Sequence, residues 1–123
     1  MVNKQDYLNA INQDIEMVRG DTLAFNFQLH GLGTREAYEA LTVKFAIVEH
    51  YGGDLVAICE NDDGITLNVY DEFNDLATFC VSLAPIKTTY LDLTRYYYDL
   101  QIEDETNVLT LMRGHFTLLY NVN

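Results

Sequence analysis

A chain of 123 residues that is 49% hydrophobic has material for one domain around one packed core, and no apolar run in it approaches the length that crosses a membrane. Nineteen Asp and Glu against seven Lys and Arg leave a formal charge of −12, which repels nucleic-acid phosphates and anionic bilayers alike. Neither nucleic acid nor membrane is therefore an expected partner, and the acidity fits solubility, a basic partner protein or calcium sites.

Residues 1–13 are polar and read as an N-terminal arm ahead of a single domain over 14–123. The arm's few apolar side chains, Tyr7, Leu8 and Ile11 among them, suit a groove on a neighbouring molecule. The opening Met-Val-Asn-Lys-Gln-Asp lacks the charged-then-apolar pattern of a signal peptide. An apolar run at Ile15, Met17 and Val18 ends at Arg19-Gly20-Asp21, a turn signal ahead of the clearest strand in the chain. There Leu23, Phe25, Phe27 and Leu29 alternate with Thr22, Ala24, Asn26 and Gln28. Gly31-Leu-Gly33 reads as a flexible loop, and Arg35 to Ala40 as a small helical or irregular piece. Leu41, Val43, Phe45 and Ile47 then mark a strand running to about Glu49.

Tyr51-Gly-Gly-Asp54 turns the chain into Leu55–Cys59, and Asn61-Asp-Asp-Gly64 into Ile65–Tyr70. The loop 71–75 precedes the strand Leu76–Leu83. Pro85 opens a crossing segment with one helical turn near 86–92, the proline occupying a place suited to a first helical position. The chain closes with a hairpin around the acidic turn Glu103-Asp-Glu105. On its first strand Tyr96, Tyr98, Leu100 and Ile102 share one face, while Arg95, Tyr97, Asp99, Gln101 and Glu103 share the other. On its second, Gly114 suggests a bulge or bend before Phe116, Leu118 and Tyr120. Seven or eight strands with turn signals at short intervals and no long helical period give an all-β class, and chain length favours a β-sandwich. Tyr96 or Tyr98, placed just after the crossing segment, resembles the tyrosine corner of immunoglobulin-like sandwiches.

Catalytic patterns are missing from the residues. His30, His50 and His115 have no partner at zinc-ligand spacing, the one serine is Ser82 inside a strand, and Cys59 and Cys80 sit in apolar runs that raise a thiol pKa. Free thiols are expected, with a disulfide open if their strands adjoin. The acidic groups at 61–64, 71–75 and 103–105 fall in turns without EF-hand spacing and read as solvated. No cofactor or metal is expected, and no enzyme.

Ile15-x-x-x-Arg19-Gly-Asp-Thr22 leads into Phe25-x-Phe27, and later Asp92-Leu-Thr and Tyr96-Tyr-Tyr-Asp99 lead to Gln101-Ile, an acidic turn and Val108-Leu-Thr-Leu-x-x-Gly114-x-Phe116. This order resembles small virion proteins of tailed bacteriophages and the N-terminal domain of the phage baseplate upper protein. The resemblance implies an immunoglobulin-like sandwich and a non-enzymatic structural or accessory subunit, made in the bacterial cytoplasm and located in the virion. Its partners would be capsid, neck or tail subunits and further copies of itself. Docking would use the arm (Tyr7, Leu8, Ile11), Tyr97 and Tyr120. The alternative is a carbohydrate- or receptor-binding module whose face includes Tyr97 and Tyr120.

Overall fold

A computed structural model describes residues 11–92 and 94–120 and is all-β in character, with nine strands and two short helices. The strands are β1 (Ile11–Asn12), β2 (Ile15–Val18), β3 (Leu23–His30), β4 (Thr42–Val48), β5 (Leu55–Asn61), β6 (Gly64–Asp71), β7 (Leu76–Leu83), β8 (Arg95–Glu103) and β9 (Val108–Leu119). The helices are α1 (Arg35–Glu39) and α2 (Ile86–Thr89), the second with Pro85 as its N-cap. The strands form one sheet path, β1-β9-β8-β4-β5-β6-β7-β3, with β2 also on β9.

That path is curled. Four strand spacings separate β4 from β3, about 19 Å on a flat sheet. Yet the rings of Phe25 on β3 and Phe45 on β4 lie 5.5 Å apart, edge to face. The bend falls at β5–β6, where only Glu60 with Gly64 and Asn61 with Ile65 are paired. Alternation then sends Val43, Phe45, Ile47, Tyr98, Leu100, Ile102, Phe79 and Val81 into one buried core.

Three features differ from the sequence expectation. Ile11 to Gln13 are part of the sheet rather than a separate arm: Ile11 and Asn12 run parallel to Met112 and Arg113, and the Gln13 N–H donates to the Arg113 carbonyl at 2.9 Å. β2 likewise pairs parallel with β9, from Ile15 with Phe116 to Val18 with Leu119. The arm's residues 1–10, with Tyr7 and Leu8, lie outside the described residues. The β8–β9 irregularity is also not at Gly114. Leu100 pairs with Met112 and Gln101 with Thr110, so the extra residue is Leu111. Gly114 serves a close approach instead, since a Cβ there would meet the backbone of Gln13 and come within 3.0 Å of an Asp14 carboxylate oxygen. Tyr98 uses its hydroxyl to donate to the Gln13 carbonyl, 85 residues upstream, rather than to the crossing segment as a tyrosine corner does.

A polar knot locks the connection between β3 and β4. The Asp75 carboxylate accepts from the Gly31 and Gly33 N–H groups at 3.0 Å and from the Tyr38 hydroxyl at 2.8 Å. Thr34 caps α1 by accepting from the Ala37 N–H at 3.2 Å, and Tyr38 on that helix is wholly buried. The Gly31 and Gly33 amides are therefore committed to the Asp75 carboxylate, and the Leu32 N–H between them donates to the Tyr38 hydroxyl at 3.2 Å. Burial, foremost, pushes the Tyr38 phenol up to about 12, whereas its hydroxyl and the glycine amides hold the Asp75 carboxyl below its ordinary value. A depressed folded pKa gives stability that is complete above the unfolded value, about pH 4, and is lost as pH falls through the folded one. The melting temperature of wild type should thus exceed that of Asp75→Asn most clearly at neutral pH, with the gap narrowing below about pH 4. Thermal melts of both proteins from neutral pH to strong acid measure it; a gap that stays constant would show that the carboxylate charge is not what the knot uses.

Candidate functional site

The outer face of β8 and β9 gathers the most distinctive set of exposed side chains. Alternation turns Tyr97 and Asp99 outward on β8, and the ladder sets His115 opposite Tyr97 and Arg113 opposite Asp99. The Tyr97 and His115 rings are 4.9 Å apart, tilted by 53°. From the turn between β4 and β5, Tyr51 folds over the same spot, its ring 4.9 Å from Tyr97. The Arg113 guanidinium carbon stands 4.3 Å above the Tyr51 ring, a cation–π contact.

Hydrogen bonds fix this group from below. The Tyr51 hydroxyl donates to the Tyr98 carbonyl at 2.9 Å and accepts from the Gly114 N–H at 3.1 Å, so it spans β8 and β9. Asp14, between β1 and β2, accepts from the His115 N–H at 2.9 Å and lies 3.5 Å from His115 Nδ1. That backbone donor, before the imidazole's charge, lowers the Asp14 carboxyl below its usual range. Asp99 shifts the other way, because burial raises its carboxyl and Arg113 only partly opposes this. The face thus offers tilted aromatic surface, a guanidinium and two carboxylates, already ordered. Such a set binds by stacking, cation–π contact and charge-assisted hydrogen bonds.

Of the residues proposed from sequence, Tyr97 sits at the centre of this face, half-buried among the rings. Ile11 is 60% exposed on β1, paired to β9 three residues before His115. Tyr120 follows the last residue of β9, is 74% exposed, and makes none of these ring contacts. Tyr7 and Leu8 fall outside the described residues. Tyr51, Arg113 and Asp14 escaped the sequence reading as site residues; Asp99 was placed on the outward face of β8, and His115 was weighed only as a zinc ligand. The signal for His115 and Arg113 was the outward set on β8, which needs the correct pairing to extend to β9.

Elsewhere the acidic turns serve their own backbone. Asp104 Oδ1 accepts from the Thr106 and Asn107 N–H groups, and Asp71 from Asn74. Asp104 and Glu105 also line an open groove of about 290 Å³ against α1. Among the described residues no group of three or more His, Cys, Asp or Glu is placed to hold a metal ion. Cys59 is buried and Cys80 half-buried, both free thiols. Burial raises the Cys59 thiol. No described helix is long and apolar enough to cross a membrane. No family model matches the chain, and no curated protein matches it.

Proposed function

We propose that this chain is a non-enzymatic structural or accessory subunit of a tailed-bacteriophage virion, an immunoglobulin-like sandwich that docks on head, neck or tail through protein–protein contacts. The strand order supports the sandwich: β3-β7-β6 on one side of the β5–β6 bend and β5-β4-β8-β9 on the other follow the B-E-D and C′-C-F-G orders of that fold. The observation that carries the docking role is the ordered Tyr51–Tyr97–His115–Arg113 face. Aromatic residues and arginine are what protein interfaces concentrate at their energetic centres, and a face ordered before binding loses less entropy on docking.

The test has two arms. Mass spectrometry of purified particles should find the chain at a fixed copy number, and the double variant Tyr97→Ala with Arg113→Ala should fold normally by circular dichroism while its incorporation falls by a factor of ten or more. A chain missing from particles, or a double variant incorporated like wild type, defeats the reading. A carbohydrate- or receptor-binding module is the second reading, favoured by the carboxylates of Asp14 and Asp99 beside exposed rings. Under it, a glycan array would give saturable binding that Tyr97→Ala removes.

A further inference from the structure

The sheet path ends at β3, which among the described residues is paired on one side only, with β7. An open strand edge invites pairing with another chain, and proteins blunt such edges by covering them, bulging them or charging them. The other open edges here carry such devices. α2 lies along β5, with Lys87 Nζ donating to the Ile58 carbonyl. β6 is bulged between Leu67 and Val69 and has α1 against it. β1 and β2 are two and four residues long, with Asp14, Glu16 and Arg19 in or beside them.

Among the described residues, β3 has none of these protections. Its register with β7 is unbroken over eight residue pairs, and Leu23-Ala-Phe-Asn-Phe-Gln-Leu-His30 contains no Lys, Arg, Asp, Glu or Pro. The outward side chains beside it, Thr78, Cys80 and Ser82 on β7, are uncharged too. In a chain of net charge −12, this uncharged edge lets two copies approach with little local repulsion. The inward rings of Phe25 and Phe27 remain half-exposed, while Phe45 and Phe79, which they touch, are buried.

We infer that β3 is a dimerisation edge that pairs antiparallel with β3 of a second copy. A two-fold axis at Asn26 sets Asn26 opposite its own mate, Phe25 opposite Phe27, Leu23 opposite Leu29, and Ala24 opposite Gln28. Every inward apolar residue then meets another. The sheets join as β6-β7-β3-β3-β7-β6, and the symmetric contact closes on itself, so no edge remains to propagate. The alternative axis at Phe27 leaves Leu23 outside the ladder and sets Ala24 against His30. This association is independent of the virion reading, because a dimer in solution neither needs nor establishes a particle.

Sedimentation velocity on the full chain tests it. Wild type should show a concentration-dependent monomer–dimer equilibrium that shifts toward dimer as salt screens the −12 charges. Asn26 is exposed, so replacing it leaves the core alone. Asn26→Lys and Asn26→Glu each place like charges directly across the axis, and each should weaken the dimer at least tenfold. An equimolar mixture of the two should restore association as a heterodimer, which damage to the fold could not do. Wild type that stays monomeric at every concentration and salt overturns the inference, whether the chain's own first residues or a different protein covers the edge. Single variants that dimerise normally, or a mixture without rescue, place any dimer on another surface and overturn it equally.

Discussion

Gly64→Ala is expected to be the most damaging of three glycine-to-alanine changes, lowering stability by roughly 2–5 kcal/mol from a left-handed backbone and from overpacking together. Gly64 opens β6 at the sheet bend with φ +94°, and a Cβ there would lie 2.7 Å from the Ser82 carbonyl oxygen and 2.9 Å from Cys59 Sγ. Two controls separate the causes. Gly52 has φ +82° with nothing within 4 Å, so alanine should cost only the backbone strain, about 1–2 kcal/mol. Gly114 carries no such backbone angle, but its Cβ would strike the Gln13 backbone, so alanine there should cost about 1–3 kcal/mol of overpacking and loosen β1 from β9. Urea unfolding of all three variants measures this. Equal losses at Gly52 and Gly64 would mean that the bend relaxes to admit a methyl group, and that the tight seat at Ser82 contributes nothing.

Phe45→Ala should be the largest single loss in the core, about 3–5 kcal/mol, or roughly half the stability of an ordinary domain. Phe45 is fully buried, and its ring meets Phe25 across the curl at 5.5 Å and Tyr98 on the neighbouring strand at 5.4 Å. Truncation removes both contacts and leaves a cavity in the middle of the fold. The melting temperature should fall by roughly 10–20 °C. Phe25→Ala, whose ring is half-exposed on β3, should cost less than half as much. If the two variants melt alike, the two ends of the curled sheet do not share one core.

The strands were legible wherever one face is buried. Leu23 to Leu29 and Tyr96 to Ile102 alternate so regularly that the inward and outward sets could be assigned residue by residue, and the outward position of Tyr97 came with them. Register was less visible. A bulge at Gly114 would have set Arg113 opposite Tyr98, facing the core; the actual bulge at Leu111 sets it opposite Asp99, facing out. Since Leu109, Leu111 and Met112 are all apolar, hydrophobicity alone could not choose between these. Tyr51 was hidden for another reason: a turn residue carries no periodicity, and only the folded chain brings its hydroxyl to Tyr98 and Gly114. The parallel pairing of β1 and β2 with β9 has no local signal either. Two and four residues are too short to show a period, and the partner lies at the other end of the sequence.

That pairing also bears on the order of events in time. The bond from the His115 N–H to Asp14 spans 101 residues. Contacts of such separation repay their loop-closure entropy only after the intervening chain is ordered. On the ribosome, β2 emerges early and has nothing to dock against until β9 has left the exit tunnel. Through most of synthesis its Met17, buried in the finished protein, stays exposed to water or to chaperones. A strand translated ahead of most of the sheet is thus among the last to find its place.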